Sequence, residues 1–207
     1  MPSRNRVKSY TPDTYYHAYN RGLNGRRIFS NDDDYRAFLN YGKRYLSPAI
    51  ITDPKGRPYA KLHHQVNLLA YCLMPNHFHL LLYQTRPHGM DNLLQRWLTS
   101  YVPYFNKRHN RKGPLFQDIY KACDIDNEKY LWHISRYIHL NPLDIKKEWR
   151  GFPYSSIDYY LGNRQADWLN PKKLLDMHRE YGQDYDQFVA YYIDHKQALD
   201  EIKLYLE

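Results

Sequence analysis

The segment "VNLLAYCLMPNHFHLLLYQ", residues 66–84, decides the fold. Two apolar runs meet at Pro75-Asn76, and this dipeptide predicts a β-hairpin because proline presets φ for a turn and asparagine tolerates the left-handed region. Side chains alternate between the two faces of a strand, so His77 and His79 project from the same face. Phe78 and Leu80 point to the opposite face, towards a core. A histidine pair on an otherwise apolar strand therefore predicts that partners for it lie elsewhere in the chain.

The segments around this hairpin predict an α+β fold. Before the hairpin, the sequence predicts a strand at 14–22, a helix capped by Asn31 or Asp32, and a loop at 47–65 with a small hairpin at 53–59. After it, the sequence predicts a helix at 90–108, a strand within 115–125 and a helix from Asp126 as cap to Pro142. Short helices are predicted at 171–179 and 185–206. This order is typical of a ferredoxin-like (RRM-like) antiparallel sheet with helices on one face. The other face is then open to carry the histidine pair.

Composition narrows the class of protein. The chain has 207 residues, enough for one domain with a helical extension, and a formal net charge of +8, which favours an anionic partner. Its 23 tyrosines suit stacking on unpaired bases, although tyrosines also serve in a core. Cys72 and Cys123 lack metal-type spacing, which predicts a reducing compartment and no disulfide scaffold or zinc-thiolate site. No segment resembles a signal peptide or a membrane span, so we expect a soluble, cytoplasmic protein without membrane contact.

A third ligand for the histidine pair is available on the predicted helix that follows the last strand. Tyr137 and Asn141 are four residues apart and therefore share a helix face. Two imidazoles, one amide oxygen and open positions suit Mg²⁺ or Mn²⁺. However, Tyr130, Ile134, Tyr137 and Asn141 also form the stripe of a buried helix face. Strand histidines are also common as surface or hydrogen-bonded residues, so the pattern alone leaves both interpretations open.

Two basic segments are candidates for binding nucleic acid. Their cationic residues are Arg21, Arg26 and Arg27 after the first strand, and Lys107, Arg108, Arg111 and Lys112 in "NKRHNRKG". Lysine and arginine side chains bind phosphates, and nearby aromatic rings can stack on bases. Charge runs are also ordinary solvated loops, so this pattern does not establish binding by itself.

Five segments occur in a characteristic order along the chain: "YHAYNRG", "CLMPNHFHLLL", "FNKRHNRKGPLFQ", "YLWHISRYIHLNP" and "YSSIDYYLG". Together they resemble the REP-associated tyrosine transposases, within the HUH group of single-strand DNA nucleases that use one catalytic tyrosine. The resemblance runs from about residue 14 to 162. It implies a single-tyrosine transposase-like catalytic domain at 1–162 and a C-terminal helical extension at 163–207.

The resemblance also implies roles for individual residues. Tyr137 matches the catalytic tyrosine, while His77, His79 and Asn141 match the ligands of a divalent cation, Mg²⁺ or Mn²⁺. Tyr120 is the alternative nucleophile, but it falls on the preceding strand, where the family accepts either phenylalanine or tyrosine.

The implied activity is cleavage and rejoining of single-stranded DNA near REP-type hairpins through a 5′-phosphotyrosine intermediate. His133, one helical turn before the tyrosine, is a candidate general base. The chain departs from the family at Asp118-Ile119, where the family usually has Gly-Arg, so a cation is lost there. Two other functions remain open: a non-catalytic module that binds single-stranded nucleic acid, and a metal-dependent nuclease that uses water. The sequence leaves open whether the protein is a monomer or a homodimer.

Overall fold

The computed structural model describes residues 11–180, 182 and 184–192. Its strands are β1 (Thr14–Arg21), β2 (Val66–Met74), β3 (His77–Gln84) and β4 (Lys121–Ile125). Its α-helices are α1 (Asp32–Leu46), α2 (Gly89–Arg108), α3 (Glu128–Leu140), α4 (Ile157–Tyr160), α5 (Lys172–Glu180) and α6 (Tyr185–Ala190). Short 3₁₀ segments occupy Leu23–Gly25 and Asn141–Ile145.

The four strands form one antiparallel sheet in the order β2-β3-β1-β4. The two central strands, β3 and β1, are therefore paired on both sides. With α1 and α2 connecting the strands, this arrangement confirms the predicted ferredoxin-like fold.

The predicted hairpin is present, and its turn is tied to the loop that follows β1. Pro75-Asn76 joins β2 to β3, and the carbonyl oxygen of Asn76 accepts a hydrogen bond from the backbone nitrogen of Gly22. The carbonyl oxygen of Pro75 accepts from Ile28 and Phe29. These bonds hold the start of β3, and with it His77, against the end of β1.

Helices α1 and α2 cover one face of the sheet. Asn31, one of the two predicted caps, caps α1 by accepting a hydrogen bond from the backbone of Asp34. The indole of Trp97 on α2 donates to the carbonyl oxygen of Phe38 on α1 at 2.7 Å, which fixes the two helices to each other. Phe38 and Trp97 then pack with Phe78 of β3 in the larger hydrophobic cluster.

Helix α3 packs on the opposite face, the one that carries the histidine pair. Ile134 and Ile138 are fully buried against apolar residues of the sheet. The predicted cap, Asp126, is wrong by one residue, because it is the Asn127 side chain that accepts from the backbone of Lys129 and Tyr130. The helix ends at Leu140 and continues as the 3₁₀ segment that contains Pro142.

The remaining predictions differ from the structure mainly at element ends. The last strand begins at Lys121, later than predicted, so Tyr120 precedes it. The small hairpin at 53–59 is present as a bridge between Thr52 and Pro58. The last predicted helix begins at Tyr185, but its part beyond residue 192 lies outside the described residues. None of the described helices has the length and apolar character that a membrane span requires.

Candidate functional site

Strand pairing brings β1 side chains next to the histidine pair. Tyr19 lies opposite His79 and Arg21 lies opposite His77 in the β1–β3 register. Because alternate residues share a face, His17 also projects from this side of the sheet. The site therefore contains a third histidine that the sequence interpretation did not include.

His17 and His79 form a hydrogen-bonded pair of imidazoles. Nε2 of His17 lies 2.9 Å from Nδ1 of His79, and the ring planes are within 10° of parallel with centroids 5.1 Å apart. His17 is fully buried, and burial lowers the pKa of His17 to about 3, so its ring is neutral at physiological pH. His79 is 2% exposed. With its Nδ1 bonded to His17, His79 has Nε2 as the nitrogen that could ligate an ion.

His77 and Asn141 bring two electron-pair donors close together. Nδ1 of His77 is 2.7 Å from the side-chain oxygen of Asn76, and an amide oxygen can only accept, so Nδ1 carries the hydrogen. Nδ2 of Asn141 donates to the carbonyl oxygen of Tyr137 at 2.9 Å, which turns the Asn141 oxygen towards His77. That oxygen lies 3.4 Å from Nε2 of His77. With a neutral His77 ring the two atoms both present lone pairs, so a cation between them is favourable.

This donor set fits a hard divalent cation. Neighbouring ligands of an octahedral ion with bonds of about 2.1 Å lie roughly 3 Å apart, close to the separation of the His77 nitrogen and the Asn141 oxygen. Within the described residues, no three His, Cys, Asp or Glu side chains are placed to hold a metal ion. The candidate set differs because its third member, Asn141, is an amide. Residues His77, His79 and Asn141 could therefore hold Mg²⁺ or Mn²⁺ only with open positions left for other oxygens.

Tyr137 lies against the same histidines. Its ring meets His79 edge-on at 5.3 Å between centroids and His17 edge-on at 6.3 Å. The side chain is 2% exposed, so it lies between α3 and the sheet rather than on the surface. The structure thus brings together the four side chains that the sequence singled out: Tyr137, His77, His79 and Asn141.

An open cleft of about 420 Å³ lies beside these residues. Its lining includes Tyr19, Arg21, His77, His79, Lys121 and Asp144. Lys121 begins β4 directly opposite Tyr19, so it stands in the same row of the sheet as His79. Its ammonium group lies 5.7 Å from the centre of the Tyr19 ring. The cleft therefore combines a cation and an aromatic ring beside the histidines.

Tyr120, the alternative nucleophile, lies on the other side of the sheet. It packs in the cluster formed by α1 and α2 and lines an apolar groove with Leu98 and Phe116. The reason is strand alternation, since Lys121 faces the histidines and the residue before it faces away. Tyr120 is thus not brought to the histidine site.

The two basic segments converge at the end of the sheet where His77 lies. The backbone of Leu23 bonds to Leu115 and that of Gln117 bonds to Arg21, which joins the loop after β1 to the chain leading into β4. Burial and then the positive charge of Arg26 lower the pKa of Arg111, so these two cations are close enough to repel each other.

The remaining predicted DNA-binding residues differ in whether their positive charge is exposed or already paired. Arg27, Lys107 and Lys112 are exposed. Arg108 instead pairs with Asp33 at 2.6 Å, which neutralises part of the positive charge in this segment.

The candidate base, His133, lies beside Arg136. Its Nδ1 is 2.5 Å from the Arg136 guanidinium, and burial together with that positive charge lowers the pKa of His133. His133 also contacts Tyr192, near the end of the described residues. These contacts direct the imidazole towards the C-terminal helices.

Sequence reasoning missed His17, Tyr19 and Lys121. Alternation within "YYHAYNR" does place His17 and Tyr19 on the face of Arg21, so this signal was present in the sequence. Which face of β1 joins the face of His77 depends on long-range register, which no local pattern contains.

Comparison with known proteins agrees with this arrangement. Residues 58–141 match the model of the family described as Transposase IS200 like, and this range contains the histidine pair, Tyr137 and Asn141. The solved structure of a REP-associated tyrosine transposase bound to a REP hairpin matches with a TM-score of 0.52 and 20% identity, covering 81% of this chain and 91% of that chain. At that identity the likeness shows the fold. No curated protein matches the chain. The family-model match confirms the resemblance to transposases over residues 58–141, and the structural likeness confirms the fold.

Proposed function

We propose that this protein cleaves and rejoins single-stranded DNA beside REP-type hairpins, with Tyr137 as the nucleophile. The observation that carries the proposal is the position of the Tyr137 ring, edge-on to His79, with Asn141 one helical turn later and 3.4 Å from His77. A phenol beside a potential cation site is what phosphoryl transfer to tyrosine requires.

The reaction proceeds by exchange of one ester for another. The Tyr137 oxygen attacks the scissile phosphorus and loses its proton, the bond from phosphorus to the 3′ oxygen breaks, and that oxygen leaves as a 3′-OH after taking up a proton. The product is a 5′-phosphotyrosyl linkage, and attack by another 3′-OH reverses the step and rejoins DNA. An ordinary phenol is only about 0.1% ionised at pH 7, so the site must favour the ionised form.

Positive charge held by the residues around Tyr137 would favour the ionised phenol. His77, His79 and Asn141 would hold Mg²⁺ or Mn²⁺, and the bound cation would polarise the phosphate and stabilise charge on the departing oxygen. Lys121 lines the adjoining cleft, where it adds a positive charge near the DNA backbone.

The substrate proposed here is a single strand attached to a hairpin. The structural neighbour binds a REP hairpin, and the end of the sheet beside His77 carries two converging basic segments in this chain. Arg21 lines the cleft, Arg26 and Arg111 lie near each other, and Arg27, Lys107 and Lys112 add exposed positive charge. Phosphate contacts of this kind bind without reading sequence, whereas Tyr19 offers a ring for stacking.

A second candidate function is hydrolysis by a metal-bound site that uses water. Tyr137 is 2% exposed, so its hydroxyl has to become accessible before it can attack DNA. A nuclease that activates water at His77, His79 and Asn141 needs no such movement. The two functions differ in whether DNA becomes attached to the protein.

The test uses a REP-type hairpin with a single-stranded tail, Mn²⁺, and DNA labelled at one end or the other. With tyrosine as nucleophile, 3′-labelled DNA should remain attached to the protein in SDS. The 5′-labelled strand should be released with a 3′-OH that a polymerase can extend. Tyr137→Phe should abolish the adduct while retaining DNA binding.

Matched controls locate the nucleophile. Tyr120→Phe alters the alternative tyrosine, and Tyr130→Phe alters a tyrosine two turns earlier on the same helix, and both should retain the adduct. An adduct that persists in Tyr137→Phe moves the nucleophile elsewhere. Cleavage without an adduct favours hydrolysis, and binding without cleavage favours a non-catalytic binding module.

A further inference from the structure

His17 is a buried polar residue of the site to which the proposed reaction gives no task. It lies on β1, a central strand whose residues pair with β3 on one side and β4 on the other. Leu81 and Cys123 are its partners in these two registers. The backbone that carries the His17 ring is therefore fixed on both sides.

Packing fixes the ring itself. The imidazole of His17 lies nearly parallel to the ring of Tyr19, at 5.2 Å and 16° between planes, and to that of His79, at 5.1 Å and 10°; Tyr19 and His79 are 6.0 Å apart, so the three rings contact one another. Among the described residues, Nδ1 of His17 has no hydrogen-bond partner, so Nε2 makes the ring's hydrogen bond, to His79. Held in this way, the ring presents Nε2 to His79.

One hydrogen lies between the two facing nitrogens, and which nitrogen carries it determines whether His79 can bind a cation. If Nε2 of His17 donates, Nδ1 of His79 accepts, and the neutral His79 ring then carries its hydrogen on Nε2. If Nδ1 of His79 donates instead, Nε2 of His79 has a lone pair available for an ion. Only the second arrangement is compatible with His79 as a ligand.

We propose that His17 is a positioning residue that accepts a hydrogen bond from Nδ1 of His79 and thereby holds His79 in the tautomer that binds a divalent cation. This inference rests on the proposed function, because the tautomer of His79 matters only if His79 binds the divalent cation of that reaction. Histidine ligands ordinarily donate their second ring N–H to an acceptor, and loss of that acceptor lowers metal affinity about 10- to 100-fold. In this protein the acceptor is a second imidazole.

The test reads the tautomer in the metal-free protein and the affinity for Mn²⁺ separately. In protein labelled with ¹⁵N-histidine, long-range NMR correlations should show the hydrogen of His79 on Nδ1. His17→Phe keeps an aromatic ring at this position but removes the acceptor, so His79 should lose this preference. Mn²⁺ affinity, measured by electron paramagnetic resonance at pH 7.5, should fall about 10- to 100-fold. His17→Gln restores an acceptor oxygen and should recover part of the loss.

His178→Phe is the matched control, because it makes the same change at another buried histidine. His178 is 1% exposed and contacts Trp132 and Phe188 rather than the site. This variant should leave the His79 tautomer and Mn²⁺ affinity as in the unaltered protein. A loss shared by both variants would mark a general packing effect and overturn the inference.

The remaining outcomes separate this inference from the proposed function. A hydrogen on Nε2 of His79 in the unaltered protein, or full Mn²⁺ affinity in His17→Phe, overturns the role of His17. If tautomer and affinity respond as expected but no DNA adduct forms, His17 keeps its role and the tyrosine reaction is wrong.

Discussion

The side-chain amide of Asn141 links α3 to the sheet at this site. Asn141 donates through Nδ2 to the carbonyl oxygen of Tyr137 on α3, and the Asn141 oxygen faces Nε2 of His77 on β3. The first bond decides the orientation of the amide, and the second contact depends on that orientation. A residue with an oxygen but no N–H cannot satisfy both.

Replacing Asn141 tests this double use. Asn141→Leu keeps similar volume but removes the oxygen, so Mn²⁺ affinity should fall by at least the roughly 10- to 100-fold that follows loss of an outer hydrogen-bond partner. Asn141→Asp keeps an oxygen but loses the donor to Tyr137. Its Mn²⁺ affinity should lie between that of the unaltered protein and that of Asn141→Leu. Electron paramagnetic resonance of Mn²⁺ measures both. Unchanged affinity in Asn141→Leu would remove Asn141 from the ligand set.

Lys121 allows a second test at the scale of one residue. It lines the cleft, so Lys121→Ala should weaken binding of single-stranded DNA and reduce the slope of log affinity against log salt by about 1. Lys129→Ala removes an equal charge from the exposed first turn of α3, at the far end of that helix from Asn141, and should leave the slope as it was. Fluorescence anisotropy over a salt series measures the slope for each variant. Equal slopes for Lys121→Ala and Lys129→Ala would mean that DNA binding responds only to net charge.

At the scale of elements, the sequence predicted what local chemistry determines. The Pro75-Asn76 turn, the cap at Asn31 and the shared face of Tyr137 and Asn141 each depend on residues within a few positions of one another. The cap of α3 was placed one residue early because Asp126 and Asn127 are both good capping residues. Register between β1 and β3, which brings His17 to His79, depends on residues 62 positions apart and had no local signal.

The C-terminal helices attach to α3 through a neutral histidine. His178 of α5 stacks on Trp132 of α3 at 4.9 Å and contacts Tyr185 of α6 at 5.0 Å. Burial, and secondly the positive charge of Arg136, lower the pKa of His178 to about 4. In the unfolded chain the ordinary value of about 6.5 applies. Protons therefore bind the unfolded state at pH values where the folded state takes none.

This difference predicts a loss of stability in acid that His178 partly causes. As pH falls from about 6.5 to about 4, His178 should lower the free energy of unfolding by up to about 1.4 kcal/mol per pH unit. His178→Phe should make the decline shallower, whereas His64→Phe, at an exposed histidine, should leave it as in the unaltered protein. Urea unfolding at pH 7, 6 and 5 measures the slopes. Identical slopes in all three proteins would show that α5 does not keep His178 neutral.

At the scale of the whole molecule, the chain after Gly162 is part of both cores. Trp168 and Leu169 are buried in the cluster on the α1–α2 face, and the backbone of Asn170 bonds to Leu68 of β2. Leu174 and Tyr185 are buried in the cluster on the α3 face. The boundary at 162/163 stays a prediction, and the buried residues beyond it show that this part of the chain packs on both faces of the sheet.

Truncation tests which description holds. A chain that ends at Gly162 loses several large buried side chains, each worth about 1.5–3 kcal/mol, and their sum is comparable with a typical total stability of about 5–15 kcal/mol. We therefore expect this chain to lose cooperative urea unfolding and its near-ultraviolet circular dichroism. A chain that ends at Tyr192 keeps these side chains and should unfold cooperatively.

The same pair of truncations shows what the C-terminal part does for DNA. If the chain ending at Tyr192 is folded but loses the covalent adduct, residues after 192 act on the substrate rather than on the fold. If the chain ending at Gly162 unfolds at the same urea concentration as the full chain and still forms the adduct, residues 1–162 are an autonomous catalytic domain. In that case burial of Trp168, Leu174 and Tyr185 stabilises only the extension, and the extension covers a core that is complete without it.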